Sequence, residues 1–476
     1  MKRPYRVILA RAATRTAIAG ILLVMSSAAH AQDAVAARPR GLTFAKDIAP
    51  IFQQKCEGCH RAGSMAPMSL VTYEDARPWV RSIKARIASR EMPPWYLDKT
   101  VGIQKFKNDR SLSDAEIRTV IDWIDSGAPF GEKSDLPAPV KWPSDATWLL
   151  SESMGTPDLV VNSATFTMPA NAPDVWWRPV VDIGLKEDRW LRAIEVRPSL
   201  KGRKVVHHSG TFLYQPEDAA VLEAEKKLRA GQGTVDALLD AMRHPSGKVV
   251  EPEPDQAPQF AEWAIGKPGD VFAENTGKLM RAGAKLGFEI HYHAVGEEVT
   301  DTTEVGLWFY PKGVVPTYPV TFAAMAAVRN IEIPPNTVKA EHGYYTLPAP
   351  AIINNFQPHM HLRGKAFLME AIYPDGRTEV LNYVPKWAFN WHVSYIYDDN
   401  AAPILPKGTV IHNVIWYDNT TANKQNPDPR QWVSGGARSV DEMGHANTNL
   451  VFITEAEYQR LTQERKDKAA AGQRSY

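Results

Sequence analysis

The spacing of apolar residues divides the chain into a helical part and a longer β-rich part. Residues 44–54 carry apolar side chains at helical spacing. A second helical stripe recurs every three or four residues: Ile117, Val120, Ile121 and Ile124. It follows a capping box formed by Ser113 and Glu116, and it ends at Gly127. We therefore predict a small all-α domain over residues 41–135.

Short alternating strands follow this helical part. Residues 136–156 are dense in proline and predict a linker. Phe288, Ile290 and Tyr292 then fall on one face of a strand, and the residues between them fall on the other. A charged segment over residues 216–260 interrupts the strands and predicts helices. The body of the chain is therefore expected to be β-rich.

The two ends of the chain are expected to lie outside these domains. Residues 1–31 have a basic start, an apolar run over residues 17–25 and an A-x-A sequence that ends at Ala31. This pattern predicts a signal peptide cleaved after Ala31, because the apolar run is shorter than the ~20 residues of a spanning helix. We expect a periplasmic or secreted protein with no membrane span. Residues 456–476 predict a charged, helical tail.

The charge balance argues against one class of partner. The chain has 55 Lys and Arg against 54 Asp and Glu, a formal net charge of +1. The sequence therefore lacks the excess of positive charge that is typical of nucleic-acid-binding proteins, and no nucleic-acid partner is expected.

Both cysteines of the chain lie in one motif, Cys56-Glu57-Gly58-Cys59-His60. C-x-x-C-H is the attachment sequence of haem c, in which the thiols bind the haem and the histidine ligates the iron. The alternatives are a redox C-x-x-C pair and half of a zinc site. A zinc site would need two further cysteines, which the sequence lacks. We predict one covalent haem c bound through Cys56, Cys59 and His60.

The second axial ligand of this haem is predicted to be a methionine, the common partner of histidine in such domains. The candidates are Met65, Met68 and Met92. Met65 and Met68 are close to His60 in sequence, which disfavours their reaching the opposite face of the haem. Residues 92–95 (MPPW) resemble a segment of haem c domains fused to bacterial oxidases and oxygenases. We predict Met92, with core filling as its alternative role.

Histidines form three groups in the β-rich body: His207-His208, His291-Tyr292-His293 and His359-Met360-His361. Residues two apart on a strand point to the same side, so an H-x-H pair can share a metal ion. Adjacent residues point to opposite sides, so His207 and His208 can share an ion only where the strand bulges or ends. Each pair alone is also typical of a hydrogen-bonded polar face.

The order of these groups, H-H, then H-Y, then H-x-H, then Asp441-Glu442-Met443, resembles the copper type II, ascorbate-dependent monooxygenases. That family includes the peptidylglycine α-hydroxylating and dopamine β-monooxygenases. The resemblance covers about residues 155–455. It implies two tandem antiparallel β-sandwich domains of the jelly-roll type, residues 157–315 and 316–455. Each domain would hold one copper ion, with a solvent cleft between them.

The resemblance also implies two ligand sets. His207, His208 and His291 would hold the first copper, and His359, His361 and Met443 would hold the second and the chemistry with O₂. The sequence departs from the family in two substrate-gripping positions, which hold Gln357 and Asn447. It also has no cysteine in the body, and Gly444 stands where a cysteine is usual. A peptide carboxylate is therefore disfavoured as substrate.

The expected function is that of an exported copper monooxygenase that hydroxylates a C–H bond of a small substrate. The fused haem c would supply its electrons, and a periplasmic donor would in turn reduce the haem. Two other classes remain open from the residues alone. One is an electron-transfer or copper-handling protein without substrate chemistry, and the other is a hydrolase with zinc on three histidines.

Overall fold

A computed structural model describes residues 41–473 of the chain, apart from a small set of positions: Gly63, Met65, Pro143, Asp145, Ala146, residues 252–256, Ile265, Gly266 and Pro268. The predicted signal peptide with its cleavage site at Ala31, and the candidate ligand Met65, lie outside the described residues. The described part is mostly β-sheet with few helices. Within it, no helix is both long and apolar enough to cross a membrane.

Most of the short helices lie before the first strand. The described residues contain a π-helical turn, Phe44–Ile48, and then eight α-helices: α1 (Ala49–Lys55), α2 (Tyr73–Ala76), α3 (Val80–Ala88), α4 (Asp114–Asp125), α5 (Ser151–Met154), α6 (Ala219–Arg229), α7 (Val235–Arg243) and α8 (Glu455–Gln473). The predicted capping box of α4 is present, because Ser113 Oγ accepts from the Glu116 amide at 3.2 Å and Glu116 Oε2 accepts from the Ser113 amide at 2.7 Å. Trp123, which the predicted stripe omitted, is the most buried residue of this helix.

The first half of the β-rich body, as far as it is described, contains fourteen strands: β1 (Leu159–Asn162), β2 (Phe166–Met168), β3 (Val175–Trp177), β4 (Val180–Asp182), β5 (Arg189–Arg197), β6 (Val206–Tyr214), β7 (Glu217–Asp218), β8 (Val249–Val250), β9 (Gln259–Ala264), β10 (Asp270–Val271), β11 (Thr276–Met280), β12 (Lys285–Tyr292), β13 (Val299–Asp301) and β14 (Glu304–Phe309). One layer has the order β1-β14-β5-β11, and the other has the order β3-β12-β6-β9. Apolar side chains from both layers, such as Leu191, Leu307 and Ile290, form one buried core between them.

The second half, described without gaps from residue 316 to residue 455, contains twelve strands: β15 (Tyr318–Met325), β16 (Glu332–Ile333), β17 (Val338–Thr346), β18 (Ala351–Ile353), β19 (Asn355–His359), β20 (Gly364–Ile372), β21 (Thr378–Val384), β22 (Tyr395–Ile396), β23 (Ile404–Leu405), β24 (Val410–Asp418), β25 (Val433–Ser434) and β26 (His445–Phe452). One layer has the order β15-β26-β18-β23, with β19 also paired to β26, and the other has the order β17-β24-β20-β21. A second core, with Phe356, Phe367 and Ile415, lies between these layers.

The two halves share one continuous sheet. Strand β11 of the first half pairs in parallel with β15 of the second, with Thr276 opposite Tyr318 and Gly277 opposite Pro319. This pairing joins the two larger layers into a sheet of eleven strands. The predicted helical insertion is present as α6 and α7, and its apolar residues pack into the core of the second half. The halves are therefore connected by backbone hydrogen bonds as well as by side chains.

Residues 95–108, which we call the strap, attach the helical part to the second half. The strap lies between α3 and α4 in sequence, yet its Trp95 packs edge-on against Tyr395 of β22, with ring centroids 4.8 Å apart. Phe106 stacks on Tyr397 at 5.4 Å. Backbone amides of the strap also donate to carbonyls of the second half, as from Lys107 to Ile396 at 2.8 Å.

Two tryptophans inside the predicted linker tie it to the helical part and to the first half. Trp142 Nε1 donates to Glu57 Oε2 at 2.9 Å, inside the C-x-x-C-H motif. Further on, Trp148 packs against Trp308 with ring centroids 6.0 Å apart. These contacts, together with the strap, fix the helical part onto the β-rich body.

Candidate metal centre

The first histidine set, His207, His208 and His291, lies where β6 and β12 pair. His208 stands opposite His291, and the next pair along is Val206 with Tyr292. His207 is therefore an extra residue, a β-bulge, and the strand irregularity that a shared metal site requires is present. The bulge brings the Nδ1 atoms of His207 and His208 to 2.9 Å from each other.

The three histidines of this set form a possible metal site. One ring nitrogen from each lies within 4.8 Å of the others. Ring centroids are 5.1–5.4 Å apart across the set. Burial lowers the pKa of His207 to about 4 and that of His208 well below its usual value. Their imidazoles are therefore neutral at neutral pH, which is the form that binds metal ions.

His291 is oriented by a carboxylate that the sequence motifs did not indicate. Its Nε2 bonds Asp174 Oδ2 at 2.8 Å, while its buried Nδ1 has no hydrogen-bond partner among the described residues. Trp176 stacks on the same imidazole at 4.4 Å. Asp174 also bonds the exposed His293 at 2.7 Å. Burial acts to raise the pKa of Asp174, but the two histidine contacts outweigh it and the pKa is lowered.

Because Asp174 takes Nε2, the Nδ1 atom of His291 is left to bind a metal ion together with His207 and His208. Histidines that bind metals usually give their other nitrogen to a carboxylate or carbonyl, which fixes the ring orientation. The unpaired Nδ1 is a buried polar atom whose missing partner a metal ion could supply. The donor set therefore fits a metal ion on the observed geometry.

The second histidine set consists of His359 and His361, with Met443 as the predicted third ligand. His359 is the last residue of β19 and His361 follows the strand, so strand alternation does not position the pair. Glu442 does so instead, because its carboxylate accepts from the His361 amide at 2.9 Å and from the Arg363 amide at 2.6 Å. His361 Nδ1 bonds the Asp441 carbonyl at 3.1 Å. Its Nε2 is left as the nitrogen for a metal.

Met443 adjoins this pair in sequence and lines a surface cavity. Tyr417 Oη donates to the Met443 carbonyl at 2.7 Å, which fixes the backbone after Glu442. The half-buried Met443 lines a cavity of about 530 Å³ together with Val328, Asn330 and His445. Around His359, the described part of the chain has no third His, Cys, Asp or Glu atom that converges as in the first set.

The two sets are in contact, which differs from the solvent cleft that the resemblance implies. The rings of His208 and His359 are 6.4 Å apart at their centroids. His392, from the loop between β21 and β22, adjoins both rings at 5.5 and 5.2 Å. His445 stacks on His359 at 4.7 Å from the neighbouring strand β26. The described histidines of the two sets therefore form one continuous cluster.

Gln357 and Asn447 are internal to a hydrogen-bond network below this cluster. Asn447 donates to Gln357 Oε1 at 3.1 Å and to Glu262 Oε2 at 3.0 Å. Gln357 donates to the His392 carbonyl at 2.8 Å. Only 1 % and 3 % of the surfaces of Gln357 and Asn447 are exposed. These positions support the cluster and are not open to a substrate carboxylate.

The C-x-x-C-H motif lies in the loop after α1. Cys56 and Cys59 form no disulfide, and burial raises the pKa of the Cys56 thiol to about 12. His60 Nδ1 bonds the Met68 carbonyl at 3.2 Å, which leaves Nε2 available to a metal. Burial lowers the pKa of His60 and favours the neutral ring. Two thiols in C-x-x-C-H order and an oriented histidine fit a covalent haem.

Met92 stands apart from that loop. It lines a groove of about 390 Å³ between the end of α3 and the start of α4, with Ile87 and Leu112. His60 does not line this groove. Met68 instead packs partly buried against the helical core and holds His60 through its carbonyl. The assignment of Met92 as iron ligand stays a prediction.

Sequence reasoning missed Asp174, Trp176 and the position of His392. Asp174 directly precedes the short strand β3, and Trp176 belongs to it; this segment carries no recognisable motif. His392 was visible as a histidine, but it lies in an irregular loop, where no periodicity predicts direction. Glu442 was noted only as the neighbour of Met443.

Comparisons with known proteins identify no family for this chain. No family model matches it, and no curated protein matches it. Among solved structures, PNGF-II overlaps 62 % of this chain and 66 % of its own at 9 % identity, with a TM-score of 0.23. A two-domain protein of unknown function from Bacteroides fragilis overlaps 58 % of this chain and 94 % of its own at 9 % identity, with a TM-score of 0.14. Neither overlap defines the fold or carries a function to this chain.

Proposed function

We propose that this protein is an exported copper-dependent monooxygenase of the type II, ascorbate-dependent kind, with electrons supplied by a haem c on its helical part. The observation that carries the proposal is the continuous histidine cluster, in which a bulged H-H pair, the histidine of the H-Y motif and the H-x-H pair adjoin one another. The pairing of the layers supports the finer fold, two tandem jelly-roll-like sandwiches over residues 157–315 and 316–455. Imidazole and thioether donors suit copper in both oxidation states.

The proposed roles follow the ligand sets. His207, His208 and His291 would hold the electron-storing copper, and His359, His361 and Met443 would hold the copper at which O₂ reacts. Bound copper would supply the one-electron chemistry with O₂ that hydroxylation of a C–H bond requires. Asp174 orients the ring of His291 and the Asp441 carbonyl orients the ring of His361, so the chain fixes the direction of a ring nitrogen in each set.

The substrate is proposed to be a small molecule other than a peptide with a free carboxylate. Gln357 and Asn447 are buried and bond each other. The cavity beside Met443 and His445, of about 530 Å³, is open at the surface and is the proposed entry for O₂ and substrate. Its size matches that of small-molecule sites.

The haem is proposed to be the point at which electrons enter. Haem c, once attached, accepts and passes single electrons. The strap holds the helical part against β22, and β22 pairs with β19, which ends at His359. A docked donor has an effective concentration on the order of millimolar or more, so no diffusional encounter is needed.

Metal analysis and oxygen uptake test the copper proposal. Purified protein loaded gently with Cu²⁺ should hold about two copper ions per chain, as two imidazole-rich sets imply. With a reduced donor and substrate it should consume O₂. Met443→Ala should keep the copper of the first set and lose oxygen consumption, while Met154→Ala, which changes a partly buried methionine of α5, is the control. Tightly bound zinc alone would instead favour a hydrolase.

Covalent haem is tested by denaturing gels. The protein from the periplasm should stain for haem after denaturation, and Cys56→Ser with Cys59→Ser should abolish the stain because the thioethers are the attachment. Met92→Ala should remove any methionine-to-iron charge-transfer band. Persistence of that band would assign the ligand to another methionine, with Met68→Ala as the comparison.

Electron entry is tested by stopped-flow mixing of reduced protein with O₂ and substrate. Oxidation of the haem should keep pace with product formation, and the Met443→Ala variant should keep its haem reduced. Trp95→Ala, which removes the main aromatic contact of the strap, should slow haem oxidation without changing copper content. A haem that stays reduced during turnover would show that electrons enter from a diffusible reductant.

A further inference from the structure

His392 is a buried histidine of the cluster that belongs to neither predicted ligand set. It lies in the loop between β21 and β22 and is only 5 % exposed. Trp387 and Phe389 surround it, with ring centroids at 5.6 and 5.8 Å. Gln357 holds its carbonyl at 2.8 Å. The loop is therefore anchored at this residue, and its imidazole is set within an apolar cage.

The Nε2 atom of His392 has no hydrogen-bond partner among the described residues. A buried polar atom without a partner destabilises the folded state, because the atom has lost its water and gained nothing in return. Such atoms are rare in folded proteins, and a bound ion can satisfy them. The tryptophan and phenylalanine rings of the cage are apolar on the sides that surround the imidazole, so a ligand is the natural partner for this nitrogen.

The imidazole is spaced from its neighbours as ligands of one ion are spaced. Two imidazoles on a tetrahedral ion, with nitrogens ~2.0 Å from it, have centroids roughly 5 Å apart. His392 lies 5.2 Å from His359, and the three rings of the first set are 5.1–5.4 Å from one another. The distance from His392 to His208 is 5.5 Å.

We propose that His392 is an additional metal ligand, whose Nε2 binds the same ion as His359 on the side that faces the first set. The second set then has three histidines and Met443, and its ion lies beside the first. This inference rests on the proposed function only in naming copper as the metal. It assigns a role to a residue that the motif order H-H, H-Y, H-x-H, D-E-M does not contain.

The nearest competitor is His445, which is even closer to His359 at 4.7 Å. Its ring is stacked on that of His359, with 24° between the planes, whereas the ring of His392 is tilted by 48°. Burial lowers the pKa of His445 to about 4, and Asn447 bonds its side chain. His445 therefore has a partner where His392 Nε2 has none among the described residues, and it serves as the matched control.

The test compares His392→Gln with His445→Gln in full-length protein loaded with Cu²⁺ and then reduced. X-ray absorption should show fewer nitrogen neighbours per copper in His392→Gln, and chelator competition should show at least about tenfold weaker binding of one ion. His445→Gln should leave the nitrogen count unchanged. An unchanged His392→Gln, or a nitrogen lost only in His445→Gln, overturns the proposal.

A second variant covers a failure of His392→Gln to fold. His392→Met fills the same apolar cage and offers a thioether, so a sulfur neighbour should replace a nitrogen in the absorption spectrum. Wild type that binds no copper would end the proposed function, and the same comparison with Co²⁺, read from its visible bands, then decides on His392. Wild type that binds neither ion overturns both proposals.

Discussion

The first and second histidine sets reach a similar composition by different means. In the first set, paired strands of one sheet supply all three rings, and a bulge at His207 corrects the direction of one of them. In the second set, His359 ends a strand, while His361 and Met443 belong to irregular segments, as does the adjoining His392. Among the described residues, only the first set has three nitrogens within 4.8 Å of one another.

This difference indicates how each set depends on the rest of the protein. Sites built on strands are held more precisely than sites built on loops. The first set therefore approaches a preformed site, oriented locally by Asp174 and Trp176. The second set depends on distant support, through Glu442 and the network of Gln357, Asn447 and Glu262.

The largest expected effect is the loss of copper when two ligands of the first set are removed. His207→Ala with His208→Ala should lower the copper content by about one ion per chain, because two of three nitrogens are lost. Metal analysis after dialysis measures this. His244→Ala, which removes an exposed histidine bonded to Asp240, is the control and should keep the full content. Loss of both ions in the double variant would mean that the sets are not independent.

The next prediction concerns the buried charges beneath the second set. Lys278 lies close to the Glu262–Lys267–Asp270 group, and burial lowers its pKa to about 8 from an ordinary value of 10.5. The unfolded chain then binds more protons between about pH 8 and 10.5, so the free energy of unfolding should rise with pH in that window, by about 3 kcal/mol.

Urea unfolding of Lys278→Met across that window measures this effect. The variant should lose the rise, while Lys312→Met, which removes an exposed lysine, should retain it. Copper affinity of the first set should be unchanged in both variants. An equal pH dependence in wild type and Lys278→Met would show that this lysine is already solvated in the folded protein.

The smallest predicted effect concerns how much Asp174 contributes to the metal affinity of the first set. Asp174→Asn keeps the shape of the side chain but weakens the contact that orients His291, and such changes typically lower metal affinity 10–100-fold. Chelator competition measures the affinity. His293→Gln removes only the exposed partner of Asp174 and should have little effect. Equal losses in the two variants would argue for a shared electrostatic effect instead of orientation.

The fold could be predicted in outline from periodicity. The capping box at Ser113, the helices within residues 216–260 and the strand that carries Phe288, Ile290 and Tyr292 follow from local patterns, and all are confirmed. The parallel pair β11–β15 could not be predicted, since the alternation along a strand does not specify which strand pairs with it. The strap likewise has no signal of its own, because its apolar residues match a surface made nearly 300 residues later.

The candidate site divides in the same way. Motif order identified the histidines of both sets, and strand geometry identified the need for a bulge at His207. The contact between the sets depends on how the two halves pack, which no local pattern encodes. The positions of Asp174 and His392 matter because of where their side chains point. In a short strand or a loop, only tertiary contacts fix that orientation.

The strap also sets an order for the folding of this chain. Tyr96 bonds Tyr395 across 299 positions, and Asn108 bonds the Ser394 carbonyl across 286. Contacts between such distant parts close slowly and only after both parts exist. Backbone hydrogen bonds between residues 52 and 70 shape the loop with Cys56 and Cys59, and such short-range contacts form before long-range ones. The docking that buries Trp95 therefore follows the formation of that loop, and a chain that ends before β22 leaves this face of the helical part uncovered.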